Sequence, residues 1–103
     1  MNVTADGATL RLSGDFDARS TFIVRAAIYE HLDAQAEGNV YIDLTDVRLI
    51  DLTALKVLGV ATREAGRSGK HLTLRGCGPA VRRLLHLSHL IRFVELEREA
   101  ATA

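Results

Sequence analysis

Hydrophobic and polar residues change their period several times along the chain. Met1–Ala5 and Ala8–Ser13 alternate about Asp6-Gly7, and Asp-Gly between two short alternating runs signals a hairpin. Gly14-Asp15-Phe16-Asp17 is expected to break the second strand. From about Ala18 or Thr21 to Ala36, Phe22, Ile23, Ala26, Ala27 and the residues to Leu32 follow a helical period, with Gly38 as the stop. Val40–Leu44 is a short, almost fully apolar run, the pattern of a central strand buried on both faces, and a short turn should follow it. Leu52–Arg67 reads as a second helix ending near Gly66 or Gly69, and His71–Arg75 as a strand alternating at Leu72 and Leu74. Pro79 suits a first helical turn, so Ala80–Leu87 is a third helix, and Phe93–Leu96 adds a last strand. The order is β-β-α-β-α-β-α-β. It predicts an α/β fold: a mixed sheet with an N-terminal hairpin and helices packed against it. The length of 103 residues fits one domain, residues 1–98, with a short tail, 99–103.

On a 100° wheel the second helix divides unevenly. Ala54, Leu55, Leu58, Ala61 and Ala65 share the side expected to meet the sheet. Thr53, Lys56, Val57, Val60, Arg63, Glu64 and Arg67 fall on the other. Val57 and Val60 therefore sit inside a charged rim, which is how protein-contact patches are built.

Composition narrows the function classes. Apolar residues make up 48% and charged residues 25%, an ordinary globular balance. The formal net charge of zero lacks the Lys and Arg excess of a nucleic-acid binder. The single cysteine, Cys77, forms no internal disulfide, and the N-terminus lacks the basic-then-apolar pattern of a signal peptide. No apolar run approaches the roughly 20 residues that span a bilayer. A cytoplasmic protein without membrane insertion is expected. No nucleophile elbow, phosphate loop or dinucleotide fingerprint is present, so no catalytic residue and no enzyme activity is expected. His31, His71, His86 and His89 lack metal-ligand spacing; His86 and His89 lie three apart on one short helix, as a solvated pair. No metal or cofactor is predicted. Cys77 lies in a Gly-Cys-Gly loop that suggests exposure, with Arg75 nearby to favour thiolate.

The densest signal is Val40–Leu55, VYIDLTDVRLIDLTAL. It ends with an acid, Asp51, and a hydroxyl, Thr53, at a helix start, where unpaired N–H groups and the helix dipole favour negative charge. Asp51 suits the N-cap, a role that contributes about 1 kcal/mol.

These residues also resemble a known family. Asp43-Leu44, Val47, Leu49-Ile50-Asp51 and the hydroxyl-bearing helix start look like the STAS domain of bacterial anti-sigma-factor antagonists, whose segment usually reads acid-serine-serine-glycine-leucine. Ser13-Gly14-Asp15-Phe16-Asp17 is similar to the family's Gly-Glu-Leu-Asp turn. Gly78–Leu90, with its Pro, Arg-Leu pair and Leu-Ser-x-Leu ending, is similar to its C-terminal helix.

The resemblance implies partner switching. An unphosphorylated antagonist binds an anti-sigma factor that is also a serine kinase, and sigma factor is released. Phosphorylation at the start of the second helix ends the complex, and a phosphatase resets it. Here Leu52 occupies the phosphoserine position and Ala54 that of the glycine, so the switch is either lost or shifted by one residue to Thr53. The implied partner surface comprises Asp15, Asp17, Asp51, Leu52, Thr53, Lys56, Val57 and Val60, with the Asp15–Asp17 turn near the second helix's start. The alternative within the resemblance is a scaffold in a stress-signalling assembly or an accessory subunit of a lipid-transport ABC ATPase.

Overall fold

The computed structural model describes residues 1–35 and 38–97. Strands β1 (Asn2–Asp6) and β2 (Thr9–Phe16) form the N-terminal hairpin, followed by helix α1 (Thr21–Ala34), strand β3 (Asn39–Ile50) and helix α2 (Leu52–Arg67). Strand β4 (His71–Arg75), helix α3 (Pro79–Leu87), a 3₁₀ turn (Leu90–Phe93) and strand β5 (Glu95–Leu96) complete the order. The strands lie side by side in the order β1-β2-β3-β4-β5; only β1 and β2 are antiparallel. The mixed sheet, hairpin and helix order match the sequence expectation. The tail 99–103 and the expected end of the first helix at Ala36 lie outside the described residues.

Register explains the burial. Leu10 pairs with Ile42 and Ile42 with Leu74, and Val40 pairs with Leu72, so one face of the sheet is a continuous apolar layer. That layer packs under Val24 and Ile28 of α1, Leu55 and Leu58 of α2, and Leu85 of α3. The opposite rows read Thr9-Tyr41-Thr73-Glu95 and Arg11-Asp43-Arg75. On this side Arg75 stacks on Tyr41, 4.3 Å from the ring centroid, and bonds Glu97 and Thr9, while Arg11 approaches Asp43 at 3.9 Å. The apolar run Val40–Leu44 is therefore not buried on both faces. The parallel strands β2, β3, β4 and β5 follow one another across the sheet, so each crossover steps in the same direction, and crossovers of one hand would set their helices on one side only.

Two strands are longer than their sequences suggest. Gly14 has φ +99°, which only glycine adopts readily, and it absorbs an irregularity instead of ending β2. Pairing resumes at Asp15 with Leu49 and Phe16 with Ile50. β3 correspondingly runs on to Ile50, where a turn after Thr45 was expected. Asp43 Oδ1 accepts from both the Thr45 backbone N–H (2.9 Å) and its hydroxyl (2.6 Å), so local side-chain bonding imitates a turn without leaving the sheet.

The core face of α1 is Val24, Ile28, His31 and Leu32, a stripe at i, i+4, i+7 and i+8. Phe22 and Ile23, which share the apolar period in sequence, are instead exposed. His31 is 6% exposed, and its Nε2 is buried without a hydrogen-bond partner among the described residues. An unsatisfied buried polar atom costs about 1–3 kcal/mol. His31→Leu is expected to raise stability by about 1 kcal/mol, read as a higher midpoint in urea; an unchanged or lower midpoint would show that the imidazole is satisfied in solution.

Candidate functional site

The parallel strands β2 and β3 deliver their C-terminal ends to the same edge of the sheet. There the turn after β2 meets the start of α2. Asp51 joins them with three bonds. Its N–H donates to the Phe16 carbonyl (3.3 Å), its Oδ1 accepts from the Ala54 N–H (2.9 Å) and its Oδ2 accepts from the Ala18 N–H (3.0 Å). It is thus the N-cap of α2, as its type suggests, and a cross-tie as well. With one bond on each oxygen, the carboxylate is committed to holding backbone.

The turn is stiffened from within. The buried Ser20 hydroxyl accepts from the Asp17 N–H (3.1 Å) and lies within bonding distance of the Asp15 and Asp17 carbonyls. Asp17 pairs with Arg19 at 2.7 Å, and that side-chain hydrogen bond holds its carboxyl below the ordinary aspartate value. Asp15 reaches Arg48 of β3 at 3.6 Å. Asp15, Asp17 and Asp51 are therefore brought together at one end of the molecule, each with a cationic or backbone partner.

Leu52 and Thr53 follow as the first two helical residues, both exposed, on an N-terminus whose free N–H groups favour anions. Lys56 and Val60 continue this exposed side down α2. Val57 does not: it is half-buried against the core, so the two valines are unequal. Val60 is 55% exposed. Sequence reasoning missed three exposed apolar residues at the same end, Phe22, Ile23 and Leu49. Each lies within an apolar run, where period alone does not separate outward from inward positions.

Cys77 departs from expectation. It is buried, and burial pushes its thiol pKa up, opposed only in part by Arg82. Arg75 points to the uncovered side of the sheet, away from this role. His86 and His89 do not share a helix, because α3 ends at Leu87 and His89 adopts a left-handed conformation beyond it. Among the described residues no three His, Cys, Asp or Glu side chains come together as a metal site, and no helix is long and apolar enough to cross a membrane.

A two-layer α/β body with a capped, anion-favouring helix start at the strand ends is the architecture of a STAS domain. Residues 1–95 match the family model described as "Mlab, STAS domain", and the chain belongs to the STAS domain family. Among solved structures it resembles an anti-sigma factor antagonist from Mycobacterium paratuberculosis, with 23% identity and a TM-score of 0.76, covering 95% of this chain and 84% of that one. It also resembles the Bacillus cell fate determinant SpoIIAA in its phosphorylated form, with 17% identity, a TM-score of 0.67 and coverage of 95% and 91%. A sulfate transporter family protein from Wolinella succinogenes shares the fold at 19% identity and a TM-score of 0.65, covering 86% of this chain and 73% of that one. Likeness at this identity shows the fold alone, and the site must carry the functional argument.

Proposed function

We propose that this chain is an anti-sigma-factor antagonist that works in the cytoplasm as a binding protein, docking the start of α2 and the Asp15–Asp17 turn onto an anti-sigma factor that is also a serine kinase. The observation that carries the reading is the Asp51 cross-tie, which presents Leu52 and Thr53 on a rigid corner formed by two segments. Leu52 brings an apolar contact to the position at which the family's serine is phosphorylated. Control at that position is lost, and Thr53 is the hydroxyl left for a kinase and a resetting phosphatase to act on. A phosphate there would add about −1.5 to −2 charges to a surface that must be desolvated on docking, which is how one group would end the complex.

The test is affinity for candidate anti-sigma kinases. Leu52→Asp is expected to weaken the complex by about tenfold or more with an unchanged Tm; undiminished binding defeats the reading. A second reading, a scaffold or an accessory subunit of a lipid-transport ABC ATPase, is favoured by the same residue, since a constitutive dock needs no acceptor at position 52. Co-purification of an ATPase in place of a kinase selects it.

A further inference from the structure

The 3₁₀ turn packs on α2 and leaves a groove of about 230 Å³ between them, lined by Lys56, Gly59, Val60, Arg63, Leu90 and Phe93. Its apolar walls are open to solvent: Phe93 is 59% exposed and Val60 about as much. Its charged edge has one sign. Lys56 and Arg63 are both exposed, and neither has an acidic partner among the described residues. The nearest helical acid, Glu64, pairs with Arg67 and lines a different groove, beside Tyr29 and Lys70. Arg92, in the same 3₁₀ turn as Phe93, is exposed too.

Gly59 supplies a second, independent observation. It lies in the middle of α2, where glycine weakens a helix about fivefold in equilibrium relative to alanine. The fold does not require it. A Cβ placed there would meet Phe93 Cβ at 3.7 Å, an ordinary contact, and the residue carries no positive φ. Gly59 is itself buried, and its missing side chain keeps the floor of the groove low beside Phe93.

We infer that this groove docks an apolar segment edged with aspartate and glutamate, supplied by the protein partner. The inference deepens the proposed function and rests on it, because the groove continues the Thr53–Lys56–Val60 side of α2. Leucines of the segment would pack along the groove against Val60, Leu90 and Phe93, over the low floor at Gly59. Its carboxylates would meet Lys56 and Arg63, which have no acidic partner among the described residues. An acid-edged occupant is favoured over a neutral one because two unpaired cations flanking an apolar patch repel basic segments and steer acidic ones.

The probe is a synthetic helical peptide of about 16 residues with leucines at i, i+3, i+4 and i+7 edged by glutamates, and a twin with lysine for every glutamate. Fluorescence anisotropy is expected to show saturable binding of the acidic peptide, and binding at least about tenfold weaker for its twin. Gly59→Ala is the deciding variant: Tm should rise by about 4 °C while peptide affinity falls about fivefold or more, a combination that misfolding cannot produce. Lys56→Glu with Arg63→Glu should reverse the preference between the twins. Equal binding of both peptides, no binding, or affinity unchanged by Gly59→Ala overturns the inference. So does sedimentation of the chain with vesicles containing phosphatidylserine in preference to binding the peptide. The two readings fail separately. If a kinase complex is sensitive to Leu52→Asp but not to Val60→Asp, and the peptide does not bind, the groove is wrong and the function stands. If the peptide binds as described and no kinase forms a complex, the reverse holds.

Discussion

Serine at position 52 is expected to turn the chain into a kinase substrate. With an anti-sigma kinase and ATP, Leu52→Ser should incorporate phosphate at that serine at least about tenfold faster than the natural chain incorporates it anywhere, and the modified protein should leave the complex. The geometry behind this is local. Asp51 caps α2, so the next residue is the first helical position and Thr53 the second. One step along a helix turns a side chain by about 100°. A kinase shaped to reach the first position meets Thr53 at a different angle, and the Asp51 carboxylate that would follow it round is held by the Ala54 and Ala18 N–H groups. Mass spectrometry after kinase treatment gives the answer. Equal labelling of the natural chain at Thr53, abolished by Thr53→Ala, would show that the switch has moved one residue along the helix and is still in use.

The largest expected loss of stability comes from Gly76. A Cβ there would overlap Thr45 Oγ1 and lie 2.9 Å from the Thr45 backbone nitrogen, and the residue sits at φ +73°. Two costs combine: a left-handed conformation that disfavours any side chain, and an overlap that includes backbone. Gly76→Val is expected to cost about 3 kcal/mol or more, a large share of the total stability of a small domain, and to lower Tm by about 10 °C or more. Adding Thr45→Ala removes the hydroxyl but not the peptide nitrogen, so it should restore only part of the loss. Full recovery in the double variant, or a midpoint within about 0.5 kcal/mol of the natural chain for Gly76→Val, would show that the loop after β4 relaxes freely.

The residues that announced their positions are those for which one physical demand dominates. Ala54, Leu55, Leu58, Ala61 and Ala65 lie on one helical stripe, and all are buried. Pro79 begins α3, where its missing N–H costs nothing. Asp51 caps α2 because a carboxylate after an extended residue satisfies free N–H groups. Where two demands compete, sequence reading stops short. Tyr41 and Asp43 share an apolar run with Val40 and Ile42, yet strand alternation turns them to the opposite side. Gly14 reads as a breaker and serves as a bulge. Phe22 and Ile23 carry apolar character but no information on which way α1 is rotated. The bond from Ala18 to Asp51 spans 33 positions and appears only once the sheet has formed. The groove beside Gly59 was invisible for the same reason, since it needs Phe93 to fold back onto α2.

The uncovered side of the sheet divides the labour within this small body. Its arginines, acids and single stacked tyrosine are already engaged with one another across β2, β3, β4 and the residue after β5, so it has little left to offer a visitor. The proposed docking surface accordingly lies on the other side, on the layer of helices and the corner above it. A fluorophore, a solid support or a fused neighbour attached through that satisfied underside, at Thr73 for instance, would hold the molecule in one orientation with its helices outward.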